Sequence, residues 1–454
     1  MRIVMIGHGM VGHRFLENLA SKSSEQHEVI VLAEEARPAY DRVQLSGFFS
    51  GKTAEDLSIT PHDFFSNTGY GLQLNTRATH IDTVAKSVTT QNGDTIHYDK
   101  LVLATGSYPF VPPVVGNNRE GCLVYRTIED LEAIRDSALK SKVGVVVGGG
   151  LLGLEAAKAL KDLGLETHVV EFAPRLMAVQ VDDGGGKVLR KKIAELGVGI
   201  HTERNTVEIT DGEKCLHVMK FSDGTSLETD MILFSAGIRP RDDIARNNGI
   251  AVGARGGIVV DNFCRTNAPD VYAIGECALW EGKIYGLVAP GYQMADVACT
   301  HILGGQDKEF LGADMSTKLK LLGVDVASIG DAHGVTAGSI NYSYVDERTQ
   351  TYKKIVVSAD GKKLLGAVLI GDVEAYGDLL QLKLNDMDLP TNPEALILPS
   401  LDGSSKPLLG ADALPMKAVI CSCNNVTKQD LCSAIEGGAM ELGELKACTK
   451  AATS

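Results

Sequence analysis

The chain carries one glycine pattern twice. "IVMIGHGMVGHRF" at residues 3–15 returns as "VGVVVGGGLLGLEAA" at 143–157, with the first glycines, Gly7 and Gly148, 141 residues apart. In each copy a short β-branched run, the signature of a buried strand, breaks into G-x-G-x-x-G and then into a helix-compatible segment. A period this long is wrong for a solenoid and fits two separate domains. In such a strand–turn–helix unit Gly7 and Gly148 permit the tight turn, Gly9 and Gly150 let backbone approach a pyrophosphate, and Gly12 and Gly153 let helix pack on strand. The helix N-terminus then offers its free N–H groups to the phosphates.

An acid follows each copy: Glu34 is 22 residues past Gly12, and Glu171 is 18 past Gly153. A carboxylate there accepts hydrogen bonds from a ribose 2′-hydroxyl and repels a 2′-phosphate, so the second site is expected to prefer NADH to NADPH. Arg175, in "EFAPRLM", leaves two readings open, a cation for a 2′-phosphate or a solvated surface charge.

At 454 residues the chain exceeds one ordinary core, and two to four domains are expected. The formal charge of −14 argues against a nucleic-acid partner, because phosphate-backbone binding is driven by accumulated Lys and Arg. No stretch approaches the roughly eighteen uninterrupted apolar residues of a membrane span, and "MRIVMIGHGMVG" lacks a signal peptide's order of regions. A cytoplasmic protein without membrane contact is the expectation. The nine Cys are odd in number and show no framework before the tail, so most read as small core residues.

These motifs resemble the two-dinucleotide-domain flavoprotein reductases, which include glutathione reductase, NADH oxidases and rubredoxin reductases. Three further segments carry the likeness. "LVLATGSYP" at 101–109 resembles the strand and turn closing an FAD domain, with Thr105 and Gly106 at its core; "MILFSAGIRPR" at 231–241, with Gly237, resembles its NAD-domain counterpart. "TNAPDVYAIGECA" at 266–278 resembles the late FAD motif, in which Gly275 and an acid reach the ribitol and phosphate. The usual acid is Asp; here it is Glu276, one methylene longer. "LVAPGYQMADVAC" at 287–299, containing Pro290, follows where the family starts a helix facing the flavin ring, the alternative being an ordinary amphipathic helix with Met294 in a core.

The resemblance implies an α/β fold of two Rossmann-like dinucleotide-binding domains, the NAD(H) domain (113–239) inserted in the FAD domain (1–112 and 240–308). An α+β interface domain (309–390), which forms a homodimer interface in many relatives, a linker (391–415) and a short incomplete helical tail (416–454) follow. Glu155 matches the family's Glu beside the nicotinamide; its plain alternative is a first-turn acid complementing the helix dipole. No side chain is assigned a catalytic acid–base role, because hydride transfer from nicotinamide to flavin needs chiefly stacking and alignment. His8 and His13 read as packing or phosphate-side residues.

The acceptor decides the function. Disulfide-reducing relatives carry Cys in the stretch matching "RPAYDRVQLSGFF", residues 37–49, and this stretch has none. "PAYDRVQLS" and "GHGMVGHRFLENL" instead resemble the large subunit of bacterial NADH-dependent assimilatory nitrite reductases. There the Arg matching Arg42 lies near the flavin; the alternative pairs Arg42 with Asp41 or solvent. The tail, "VICSCNNVTKQDLCSAIEGG" onward, resembles the start of a bacterioferritin-associated-ferredoxin domain, which binds a 2Fe-2S cluster through C-x-C and a later C-x-x-C. Cys421 and Cys423 match the first two ligands, and the second pair is absent. Four thiolates are needed, so the expectation is a truncated chain, its tail partly disordered, with the cluster held only in a longer form. The resemblance places sirohaem and a 4Fe-4S cluster beyond residue 454, and makes NADH, downstream iron–sulfur and sirohaem domains and a small nitrite reductase subunit the partners. A free-standing NADH-dependent rubredoxin, ferredoxin or nitrate-reductase-partner reductase is the alternative.

Overall fold

A computed structural model of the chain describes residues 1–399, 410–421, 424 and 426–452. The repeated fingerprint opens two five-stranded, all-parallel sheets. The first has the order 271–273, 100–103, 2–6, 28–32, 71–73; the second runs 122–124, 231–234, 143–147, 166–170, 199–201. The fingerprint strand is central in both, and its residues are buried on both faces, as a parallel sheet covered by helices requires.

The duplication extends past the motif. Each half also carries a three-stranded antiparallel meander, 78–97 between strands 71–73 and 100–103 in the first and 206–229 between strands 199–201 and 231–234 in the second. The first sheet takes its outer strand, Val271–Ala273, from beyond the whole second sheet, so one nucleotide-type domain is inserted in the other.

Helices Met10–Lys22 and Val288–Ile302 pack together on the first sheet. The former buries Phe15, Leu16 and Leu19, each contributing about 1.5–3 kcal/mol of burial. Met294 is fully buried in this same core.

The third unit is a five-stranded antiparallel sheet, ordered 317–321, 324–330, 364–370, 351–357, 340–346, backed by helix Tyr376–Leu384. Its core reaches further than the pattern suggests: Leu396 and Ile397, expected in the linker, are buried against it. The thickening of Pro and Gly there hid two anchoring apolar side chains.

The tail is helical in its described part, as the resemblance implies. Its described residues form a hairpin (Val419–Cys421 with Val426–Thr427) and helices Lys428–Glu436 and Leu442–Thr449. Both helices begin in capping boxes, at Thr427 and Glu441, which satisfy N-terminal N–H groups without any metal ligand. No helix among the described residues is long and apolar enough to cross a membrane.

Candidate functional site

The two fingerprints have matching geometry. Gly7 (φ +102°) and Gly148 (φ +118°) are left-handed, and a Cβ on either would lie 2.2 Å from the carbonyl oxygen of Ala104 or Ser235 on the neighbouring strand. Gly12 and Gly153 pack on the turn itself, where a Cβ would lie 2.7 and 1.9 Å from the Gly7 and Gly148 oxygens. Gly9 and Gly150 differ: each is the N-cap of its helix, and a Cβ there would meet nothing within 4 Å. Neither helix has a side-chain cap or an acid in its first turn, so its leading N–H groups remain for an anion. A nucleotide pyrophosphate fits both cradles.

Beyond the fingerprints the structure joins the two closing turns. Gly106 (φ +69°) and Gly237 (φ +102°) lie in the turns that follow strands 100–103 and 231–234 and lead into Ser107–Pro109 and Ile238–Pro240, which pair antiparallel. Arg241 N–H donates to the Gly106 oxygen at 2.9 Å, Phe110 N–H to the Gly237 oxygen at 2.8 Å, and the Thr105 hydroxyl to the Arg241 oxygen at 2.6 Å. The residues expected to close separate domains thus form one crossing.

Gly275 (φ +78°) opens a short 3-10 turn whose space is limited by Val11 of the first fingerprint helix. Helix Val288–Ile302 meets the same point: a Cβ on Gly291, beside buried Pro290, would lie 2.5 Å from Val11 and 3.5 Å from Gly275. This helix too starts without a side-chain cap or a first-turn acid. Fingerprint, late motif and helix N-terminus therefore converge, and the fit to FAD is of the kind the sequence implies.

The two acids after the fingerprints are placed differently. Glu171 accepts the backbone N–H of Gly149 and, at 2.7 Å, that of Ala173, which aims the carboxylate at the second cradle. Glu34 is exposed and pairs with Arg241 at 3.1 Å. Arg175 is neither free nor turned to the cradle; its guanidinium donates to the Val181 oxygen at 2.8 Å and to Asp183 at 2.6 Å. Glu155 is not a first-turn acid, since its helix starts at Leu151 and turns once before reaching it. It is half-buried, and desolvation pushes its carboxyl up to about 7.

Arg42 pairs with neither Asp41 nor solvent. It binds the Glu35 carboxylate, lies 4.7 Å over the Tyr40 ring and donates to the Arg126 carbonyl at 2.9 Å. Asp41 is occupied with the N–H groups of Val43 and Gln44. Glu276 accepts from the Ser107 hydroxyl at 2.8 Å and from Arg126 at 2.5 Å. Sequence reasoning missed Glu35, Tyr40, Ser107 and Arg126. For Arg126 a local signal existed: it stands just before Thr127, whose capping box with Asp130 starts helix Ile128–Ala138.

His8 and His13 are packing residues. Both rings are buried against Phe65 and Phe64, at 5.4 and 4.9 Å between centroids. Burial holds His8 down to about 3, and its Nδ1 accepts from Ala39 N–H. The thiols of Cys264, Cys277 and Cys299 are buried and raised by desolvation, Cys299 up to about 12, which keeps them protonated and inert.

Of the two tail ligands, Cys423 lies outside the described residues. Cys421 accepts from Ala452 N–H at 3.4 Å. Among the described residues no three His, Cys, Asp or Glu side chains gather as a metal site. The described thiols of this stretch, Cys421, Cys432 and Cys448, do not gather as a four-thiolate cluster.

Comparisons with known proteins bear on the family and the fold. Residues 1–301 match the pyridine nucleotide-disulphide oxidoreductase family, and the chain belongs to it. It is an FAD-dependent NAD(P)H oxidoreductase. Residues 316–383 match the C-terminal domain of rubredoxin NAD+ reductase. The nitrite reductase [NAD(P)H] large subunit of Klebsiella oxytoca is 59% identical over 99% of this chain and 47% of its own length. The nitrite reductase (NADH) large subunit of Escherichia coli is 54% identical over 100% of this chain and 54% of its own. The chain thus spans about half the length of these curated relatives. Among solved structures, a ferredoxin reductase from Rhodopseudomonas palustris superposes with a TM-score of 0.77 at 25% identity, covering 89% of this chain and 98% of that one.

Proposed function

We propose that this chain is the NADH-oxidising, FAD-holding module of a nitrite reductase large subunit, delivering electrons toward an iron–sulfur centre. The observation that carries it is the identity above one half, along essentially the whole chain and into the C-x-C tail, with two nitrite reductase large subunits. FAD, when bound, supplies an acceptor that takes two electrons from a nicotinamide and can release them singly. The chain's own part is to hold the two nucleotides in register: residues 7–12, 105–106 and 275–276 around FAD, and residues 148–153, 171 and 237 around NAD(H).

On this reading the FAD domain is 1–112 with 240–308, the NAD(H) domain 113–239, and 309–390 the interface domain, which supports a homodimer. NADH is preferred over NADPH because Glu171 aims a carboxylate at the second cradle while Asp183 occupies Arg175. The 2Fe-2S cluster begun by Cys421 and Cys423, with sirohaem and 4Fe-4S, belongs to the longer protein. Nitrite, the small subunit and a cytoplasmic location complete the proposal.

The test is an anaerobic titration of the flavin-loaded chain. NADH is expected to bleach the flavin absorbance, and the chain to reduce artificial one-electron acceptors but not nitrite. Failure of NADH to bleach bound flavin overturns the reading. A second reading, a reductase for a small soluble redox protein, is favoured by the match of residues 316–383 to a rubredoxin NAD+ reductase domain. Marked acceleration by added rubredoxin or ferredoxin would select it.

A further inference from the structure

Arg126 belongs to the inserted domain, in the three residues between strand Cys122–Val124 and helix Ile128–Ala138, yet both its ends are held by the other domain. Its carbonyl accepts from Arg42 at 2.9 Å, and its guanidinium donates to Glu276 at 2.5 Å with both side chains at most about one-fifth exposed. Its own N–H is fixed by Asp130 at 3.1 Å, so the residue sits on a rigid helix start. Ser107 steadies Glu276 from the other side, and both bonds fall on the same carboxylate oxygen, Oε2. Among the described residues no donor meets the other oxygen, Oε1, and Gly275 of the late motif immediately precedes it in the chain.

We propose that Arg126 is a positioning residue that locks the NAD(H) domain onto the occupied FAD site, and that Glu276 is Glu because one carboxylate must serve both tasks. An Asp would withdraw the carboxylate by about 1.5 Å, one carbon–carbon bond. The Arg126 contact would then open to a separation of about 4 Å, beyond hydrogen-bonding range. The extra methylene is therefore spent on the second domain. The lock fixes the orientation of the nicotinamide site relative to the flavin site, which is where a misalignment on the order of 1 Å costs about a hundredfold in rate.

This inference rests on the FAD and NAD(H) assignments proposed above, and the experiment separates the two. Arg126→Gln, Arg126→Lys, Glu276→Asp and the double variant Arg126→Gln/Glu276→Asp are prepared as full-length, flavin-loaded chains. Flavin retention, NADH-dependent flavin reduction, and amide exchange at 122–131 and 273–278 in the absence of NADH are measured. Glu276→Asp and Arg126→Gln are each expected to keep the flavin, to speed exchange in both segments, and to slow flavin reduction about tenfold, with no further loss in the double variant. Arg126→Lys, which can still reach the carboxylate, is expected to recover most of the rate. Independent, additive losses in the double variant would overturn the lock. So would unchanged exchange in Arg126→Gln, or a Glu276→Asp variant that releases its flavin. If the parent chain binds flavin but NADH never bleaches it, the functional reading fails rather than the lock.

Discussion

Gly9 and Gly12 are three residues apart and do opposite things. A side chain on Gly12 collides with the Gly7 carbonyl at 2.7 Å inside the fold, whereas one on Gly9 projects into open space. Gly12→Ala should therefore destabilise the apo chain by roughly 1–3 kcal/mol through overpacking. Gly9→Ala should leave apo melting within about 0.5 kcal/mol of the parent and weaken FAD binding at least tenfold. Thermal melts of the apoprotein beside flavin titrations check the pair; a Gly9→Ala protein that binds FAD normally would place the pyrophosphate elsewhere. Glu155 gives a pH-dependent test. Its folded pKa, about 7, lies above the ordinary value of 4.5, so the folded chain binds the proton more tightly than the unfolded one. The stability it contributes is fully present below about pH 4.5 and is lost as pH rises through about 7. Glu155→Gln, unable to ionise, should melt with the parent near pH 4.5 and a few degrees above it at pH 8, roughly a kcal/mol-scale gain. A constant difference across pH would show that the carboxyl is not buried in its neutral form.

At the scale of elements, the tail is the part that local signals and tertiary contacts build together. Its capping boxes at Thr427 and Glu441 are written in the sequence. Its docking is not: Arg14, on the first fingerprint helix and 4.4 Å over the Tyr292 ring, donates to Asn424 at 2.8 Å. Gln381 of helix Tyr376–Leu384 donates to the Val419 carbonyl at 2.9 Å, and Asn424 donates to the Lys450 carbonyl at 2.6 Å. Loss of the Arg14 contact removes a charge-assisted bond of about 1.5–3 kcal/mol. Arg14→Ala should speed amide exchange across helices 428–436 and 442–449 by about tenfold or more while leaving strand 143–147 unchanged. Exchange already at the unprotected rate in the parent would mean that these helices do not form without further ligands.

For the whole molecule the net charge of −14 acts at a distance on any acceptor. Electron transfer to ferricyanide, an anion, should accelerate as ionic strength rises, and transfer to a cationic protein acceptor should slow, because screening shortens repulsion and attraction alike. Rates measured between about 10 and 300 mM salt decide this; parallel trends for both acceptors would mean that a local exit patch overrides the global field.

The parallel sheets, the two cradles and their six glycines were legible in the chain itself, because a strand–turn–helix that lets backbone approach a phosphate tolerates few residue types at fixed spacing. The spacing after the second fingerprint also exposed Glu171, whereas Glu276 is read only from the resemblance of "TNAPDVYAIGECA" to the family's late motif. What the chain could not declare is every contact made across the insertion. Strand Val271–Ala273 joins a sheet begun at residue 2, Glu34 turns to Arg241, and Glu276 meets Arg126 150 residues earlier. Periodicity and spacing report a residue's neighbours along the chain; these pairings depend on how two separately patterned sheets are set against each other, and only the tertiary packing decides that.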